Sequence, residues 1–501
     1  MSAPERLSIP AADAAGDLAA QVTALLDDGL RLALVAAHED SDALRVVHLF
    51  TGPGDRRVEL VRRTDLAAPH QPSLATVSFP AGRFERELRD LYGVVPDDHP
   101  LPRRLVRHKH WPRGWYPMRS DAGAPPPFDP VEGDYPFLRV AGPGVYEIPV
   151  GPVHAGMIGP GHFRFSVVGE SILTLKARLW FTHKGLLRLA EGRTPEDALA
   201  LAERVSGDTT VGHATAYCLA VEDALGVTVP EPARAARAAL LELERLYNHV
   251  ADLGALCLDV GHGILNVHAA RLREDLLRLN AEVTGHRLLR GGVVLGGADV
   301  AAVPDLPRLE RVAAEAAELV ELALGHSVVV DRFTGTSVLS ERSAREIGVL
   351  GFVGRASGVD VDARRDHPVH PATADVAPVV RSDGDVLARF CVRAGEVRTS
   401  LDLLRALLPE VRAGHYVAEL PARPPAGAAG PASGVGLVEG WRGTIAHRVE
   451  VGADGRLTRL AVVDPSFFTW PALPVALRGT IVADFPVTNK SFNLSYAGND
   501  L

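Results

Sequence analysis

The chain has 501 residues, 47% of them hydrophobic and 23% charged, with a formal net charge of −9 at pH 7. That length allows two or more domains with a large buried core. The composition is that of a globular protein, and the acidic balance argues against a nucleic-acid binder. No run of 18 or more residues is apolar and free of charge, so no membrane span is expected. Met1 to Asp13 carries Glu5 and Arg6 but no apolar signal region, so secretion is not expected. The cysteines Cys218, Cys257 and Cys391 are far apart, with no C-x-x-C pair, so there is no iron–sulfur or zinc motif.

Residues 1–119 read as a first unit of mixed α/β pattern. Ala11 to Asp27 is amphipathic and predicts a helix. Leu32 to Ala37, Leu44 to Thr51 and Val58 to Arg63, rich in Val and Leu and separated by polar turns, predict strands. Phe84 to Tyr92 predicts a short helix. Residues 120–134 read as a linker, because Gly123, Pro125, Pro126, Pro127 and Pro130 bar helix and central strand alike.

Residues 135–501 form the second unit. Tyr146 to Pro149, Phe163 to Gly169 and Ile172 to Trp180 predict three strands. Thr194 is placed to cap a helix that starts at Pro195 with Glu196 and Asp197 in its first turn. Helices are expected at 210–225, 231–258, 262–290, 306–325 and 382–408. Ala422 to Gly436 reads as a loop, and Val435 to Val463 as a hairpin turning at Gly452 to Gly455. The fold class is α+β: a small mixed domain followed by a helix bundle with peripheral strands. The loop Gly156 to Gly161 is glycine-rich but precedes a strand, so it is a weak phosphate cradle.

Several blocks carry a family resemblance. In the first unit, Glu85-Arg86-Glu87-Leu88-Arg89-Asp90-Leu91-Tyr92-Gly93 is followed by His99-Pro100 and Arg103-Arg104; this resembles the C-type (30 kDa) subunit of complex I. In the second, Gly151-Pro152-Val153-His154-Ala155-Gly156, Gly161-His162-Phe163-Arg164-Phe165, Gly354-Arg355-Ala356-Ser357-Gly358 and Asp464-Pro465-Ser466 occur in an order that resembles two related subunits. These are the D-type (49 kDa) subunit of complex I and the large subunit of energy-converting nickel–iron hydrogenases.

The resemblance implies a metal site whose ligands are missing here. The hydrogenases hold nickel and iron between two C-x-x-C pairs, and the matching positions are Ser206, Thr209, Ser466 and Thr469, with His213 following at the family spacing. Neutral hydroxyls are hard, weak donors and poor nickel ligands, so no metal is expected on these residues. The family's proton-relaying Glu falls on Gly159. The quinone-binding Tyr of complex I aligns with Gly207, so that constellation is not retained either; His154 and His162 are candidates for its histidine.

What the resemblance implies functionally is a peripheral subunit of a membrane-bound, ion-translocating oxidoreductase complex. It would lie on the cytoplasmic face, beside a small iron–sulfur subunit and antiporter-like membrane proteins. A metal-free cavity could bind quinone or another organic acceptor; the alternative is a non-catalytic coupling subunit with a vestigial site. Arg204 and Asp464 flank the former ligand positions and are expected to pair across the site. His154, His162 and His213 read equally as proton carriers or as satisfied core histidines. Arg355, Asp362, Arg364 and Asp366 read either as a charge network or as ordinary solvated surface. Phe467, Phe468 and Trp470 are expected to pack the core.

Overall fold

A computed structural model describes residues 6–10, 15–128, 137–156, 158–424 and 432–501. The first unit is a four-stranded sheet. Arg31–Glu39 pairs antiparallel with Leu44–Gly52, which pairs antiparallel with Arg56–Thr64, and Arg6–Pro10 joins that strand in parallel. The first and third expected strands are longer than their apolar stretches, because ladder bonds continue through the flanking polar residues, and the second gains only Gly52. The helix Ala15–Asp27 matches the described part of the predicted one, residues 11–14 lying outside the described residues. The second helix begins at Phe79, five residues before the expected start. Ser78 caps it, accepting from the Ala81 amide, and Pro80 sits in its first turn, where a missing N–H costs nothing.

Residues 129–134 of the expected linker lie outside the described residues. The second unit opens with an antiparallel sheet of Val145–Val150, His162–Val168 and Ser171–Arg178. Thr194 caps Pro195–Ala202 as expected, accepting from the Asp197 amide at 3.2 Å. The bundle is built on Glu231–Asp259, which packs against Gly263–Thr284 and Val386–Leu407, with Leu306–Leu324 alongside. The helix expected over 262–290 stops at Thr284, because Gly285 takes the left-handed conformation that ends helices. The last sheet has three strands, Ala432–Gly440, Gly443–Val451 and Leu457–Val463. Ala432 to Gly436, which the sequence suggests is loop, is therefore strand.

The reason is visible in what that strand touches. Helix Thr210–Leu225 lies so close to it that a Cβ on Gly434 or Gly436 would fall 1.9 Å from the carbonyl of Ala220 or Ala216. Small residues that suggest a loop by composition here permit helix-on-strand contact.

The two units share a core. Phe84 of the first lies 4.6 Å, ring centre to ring centre, from Phe467 of the second, and 5.8 Å from Phe468. Phe467, Phe468 and Trp470 are buried in the same hydrophobic cluster as the first unit's sheet, in line with their sequence. Ion pairs reinforce the seam: Arg45 with Glu450 and Glu59 with Arg448, both at 2.8 Å. Among the described residues, no helix is long and apolar enough to cross a membrane.

Candidate functional site

The residues expected at the ligand positions sit on a loop and on one capped turn. Ser206 and Thr209 occupy the loop between helices Pro195–Ala202 and Thr210–Leu225. Ser466 and Thr469 lie on the one-turn helix Pro465–Thr469, which Asp464 caps by accepting from the Ser466 amide at 2.7 Å. All four are buried. Ser495, at the cap of Tyr496–Asp500, joins the two halves. Its hydroxyl lies 2.8 Å from that of Ser206, and its amide donates to the Ser466 hydroxyl at 2.9 Å. Ser206 and Thr209 both donate to Oδ1 of Asp208, at 2.8 and 3.0 Å. Since Ser206 has one proton and gives it to Asp208, Ser495 is the donor to Ser206. Thr469 donates back to the Pro465 carbonyl at 3.1 Å.

One arginine holds this cluster. Arg442, in the turn between strands Ala432–Gly440 and Gly443–Val451, makes a two-pronged pair with Asp208, both contacts at 2.7 Å. It also donates to Thr209 at 3.2 Å and to the Asn493 carbonyl at 2.6 Å, over the ring of Trp441. Desolvation opposes the Asp208 charge, but the Arg442 guanidinium and the two hydroxyls outweigh it and hold the carboxyl well below the usual carboxylate range. Asn248 and Trp441 fix the Asp208 carbonyl, each at 2.9 Å. Behind the loop, Glu244 accepts from the Val211 and Gly212 amides at 2.7 and 3.0 Å, at the start of helix Thr210–Leu225. Burial pushes it up to about 8 against the pull of those amides.

His213 lies in a buried row. Its Nε2 is 3.1 Å from Asp464 Oδ2, and its Nδ1 is 3.0 Å from Nε2 of His447. Asp464 accepts from Nε2–H, and Nδ1 faces Nε2 of His447 across the row. Burial and the neighbouring His213 keep His447 well below the usual histidine value. Burial would raise Asp464, but the His213 hydrogen bond and the charges of His213 and Arg442 bring it below its ordinary value. Asp464–His213–His447 is thus a buried polar row, at whose far end His447 Nδ1 has no hydrogen-bond partner among the described residues.

Other sequence expectations fare differently. Arg204 does not pair with Asp464: it is exposed and donates to the Ala200 carbonyl at 2.7 Å, while Arg442 supplies the guanidinium from a distant turn. Gly207 is exposed at the loop tip. His154 and His162 lie on the early hairpin loop, their Nδ1 atoms each 3.2 Å from a carbonyl, of Pro152 and Gly151 respectively. Their Nε2 atoms are buried without a hydrogen-bond partner. His154 approaches the cluster through Tyr496, at 6.2 Å between ring centres. A Cβ on Gly159 would stand 2.8 Å from Tyr496 Cβ, so Tyr496 occupies the space into which a side chain at 159 would grow.

Arg355, Asp362, Arg364 and Asp366 are all buried. Arg355 contacts Glu396 at 2.6 Å, Glu439 at 2.8 Å and Asp362 at 3.3 Å; Arg364 contacts Asp362 at 2.6 Å. Glu242, Arg245, His249 and Asp252 follow one another at helical spacing on Glu231–Asp259 and face Arg393, Glu396 and Ser400 on Val386–Leu407. Two helices thus turn charged stripes toward each other inside the bundle. Asp252 links this network to the cluster, through Asn493 at 2.8 Å and on to Arg442. No motif in the sequence singles out Arg442, His447 or Glu244, and Asp208 and Ser495 fall inside family blocks without a role of their own. The three-to-four spacing of the charged stripes is the one signal that points inward.

The donor set decides whether a nickel–iron pair fits. Four hydroxyls stand at the positions that the sequence comparison assigns to thiolates; they do not ionise near neutral pH, Ser206 and Thr209 donate to Asp208, Thr469 donates to the Pro465 carbonyl, and Ser466 accepts from the Ser495 amide. The three cysteines lie elsewhere in the fold. These residues do not fit the metal pair.

Comparison with known proteins agrees with this architecture. Residues 14–127 match the family described as respiratory-chain NADH dehydrogenase, 30 Kd subunit; residues 259–429 match the 49 Kd subunit; and residues 184–258 match nickel-dependent hydrogenase. Formate hydrogenlyase subunit 5 of Escherichia coli is 33% identical over 455 residues, covering 87% of this chain and 78% of that one. The fused C/D protein of NADH-quinone oxidoreductase from Phocaeicola vulgatus is 29% identical over 400 residues, covering 74% of this chain and 76% of the relative. In fold, the chain is similar to a chain of the membrane-bound sulfane sulfur reductase, an archaeal respiratory membrane complex, with a TM-score of 0.65 at 24% identity, covering 72% of this chain and 99% of that one. With its fused 30 kDa-like and 49 kDa-like parts, the chain belongs to the family of complex I C/D and energy-converting nickel–iron hydrogenase large subunits, in a form without the metal-binding cysteines.

Proposed function

We propose that this chain is a peripheral subunit of a membrane-bound, ion-translocating oxidoreductase complex, in which the former nickel–iron site has become a hydrogen-bonded structural node. The observation that carries this reading is the mutual engagement of Ser206, Ser466 and Ser495 with Asp208 and Arg442. Hydroxyls bonded in this way brace the loops that in hydrogenases would grip metal. The continuous polar chain through Asn493 and Asp252 gives the node a physical connection to the bundle interior. On this reading the partners are a small iron–sulfur subunit and antiporter-like membrane proteins, at the cytoplasmic face.

A second reading places an organic acceptor such as a quinone at the early hairpin loop. The unpartnered Nε2 atoms of His154 and His162 favour it, since a carbonyl or hydroxyl of the acceptor would satisfy them.

The test is to purify the tagged chain from its native membranes and determine its partners, metals and bound small molecules. Co-purifying iron–sulfur and membrane subunits, with nickel at background by elemental analysis, is the expected result. Stoichiometric nickel would overturn the metal-free node, and a chain that purifies alone would overturn the subunit assignment. Bound quinone lost on His162→Ala substitution would favour the second reading over the first.

A further inference from the structure

The seam between the two units holds a cavity of about 350 Å³, which none of the four hydroxyl residues lines. It opens between helix Phe79–Tyr92, the segment from His99 to Leu101, the strand end from Ala177 to Trp180, and the stretch from Trp470 to Pro474. Its walls are largely apolar. Three guanidinium groups line it, those of Arg83, Arg86 and Arg178, and no carboxylate does, in a chain whose acidic residues outnumber its lysines and arginines by 62 to 53.

Two of those arginines are held by backbone carbonyls. Arg86 Nε donates to the Arg103 carbonyl at 2.8 Å, and Arg178 donates to the Arg107 carbonyl at 3.1 Å. Arg83 is different. It is 9% exposed, and its Nε is buried without a hydrogen-bond partner. Among the described residues, no carboxylate forms an ion pair with it; Glu87, one turn along, acts on it only through space. Its guanidinium lies 4.5 Å from the ring centre of Phe467 and 6.0 Å from that of Trp180. Burial without a counter-ion pulls Arg83 down to about 9. A buried cation resting on aromatic faces gains some energy from them, but far less than desolvation costs. The missing component is an anion, and the planar guanidinium fork matches a carboxylate. The cavity's volume and its apolar walls with a few polar groups are those of a small-molecule site.

We propose that this cavity binds a small carboxylic acid with an apolar tail, its carboxylate on Arg83 and its tail against Leu179, Trp180 and Trp470. The proposal does not rest on the reading of the hydroxyl cluster, because the anion-binding group, Arg83, makes no hydrogen bond to it; of these residues it is Trp470 that touches the cluster, donating to the Ser495 carbonyl at 3.1 Å.

The test is calorimetric titration of the full chain with octanoate, using octanamide as a neutral control of the same shape. Octanoate is expected to bind about tenfold or more tightly than octanamide, the usual scale for a charge-assisted hydrogen bond. Arg83→Met should abolish that preference without lowering the melting temperature. Ala177→Leu, which fills the cavity and leaves Arg83 in place, should weaken both ligands, and it keeps the test decisive if the first variant fails to fold. Equal binding of octanoate and octanamide would overturn the proposal, as would an undiminished preference in Arg83→Met. Octanoate that binds the isolated chain but not the complex purified from membranes would assign the cavity to a carboxylate on a neighbouring protein of the complex, and so overturn the small-molecule reading.

Discussion

Arg355 and Arg83 are both buried, and their surroundings are opposite. Arg355 is fully enclosed and meets three carboxylates, Glu396, Glu439 and Asp362, so its charge is balanced by the fold itself. Arg83 meets two aromatic rings and no acid among the described residues. The first arrangement is complete within this chain. The second becomes complete only when something from outside supplies the anion. The charge of Arg355 is met inside the chain, whereas that of Arg83 is open to an anion from outside.

Substitutions can break that comparison, beginning with the largest effect. Arg355→Met leaves three buried carboxylates facing one another, and we expect it to destabilise the fold by about 3–5 kcal/mol in urea unfolding. A loss below about 1 kcal/mol would mean that the network is not closed in the way described. Arg442→Met strips Asp208 of its two-pronged partner and Thr209 of a donor. It should cost about 1.5–3 kcal/mol, the scale of hydrogen bonds to charged groups, measured by the same unfolding.

Glu244 sharpens the comparison, because it is an acid satisfied by amides rather than by a guanidinium. Its value is about 8 in the folded chain, against an ordinary 4.5. Between those values the folded state binds more protons than the unfolded one. Its contribution is therefore fully present below about pH 4.5 and falls as the pH rises toward 8, with a slope of at most about 1.4 kcal/mol per unit. Glu244→Gln should flatten that part of the stability–pH profile; an unchanged slope would place the titration elsewhere. Smallest of all is Arg83→Met, which removes an unbalanced charge and should leave stability within about 1 kcal/mol or raise it. A large loss of melting temperature would show that Arg83 is a strut of the seam.

Much of the fold is legible in the sequence, because its signals are local. Alternating Val and Leu mark the strands, Thr194 and Pro195 mark a helix start, and the order of the glycine, histidine and arginine blocks points to the family. The helix expected to run to residue 290 is shorter because Gly285 ends it by backbone conformation, a signal that an apolar period does not carry. The site is legible only in part. Motif spacing picks out Ser206, Thr209, His213, Asp464, Ser466 and Thr469; the first five are linked around one cluster, while Thr469 bonds to the Pro465 carbonyl and the Leu350 amide. Arg204 suggests itself as the guanidinium because it stands close to Ser206 in the chain. The arginine that reaches the cluster, Arg442, comes from a β-turn whose position depends on how the last sheet packs against helix Thr210–Leu225. The same limit applies to Arg355 and Arg364: their spacing is compatible with surface or interior, and burial decides between them.

The stacking of Phe84 on Phe467 reaches beyond packing. Phe467 sits between Ser466 and Thr469 on a single helical turn, so the first unit bears directly on the turn that braces the cluster. A shift of the helix Phe79–Tyr92 would act as a lever on that turn, and the two units should melt in one calorimetric transition. A protease cut between them would then leave the halves associated. The N-terminal unit is not a detachable adaptor but one arm of a rigid joint.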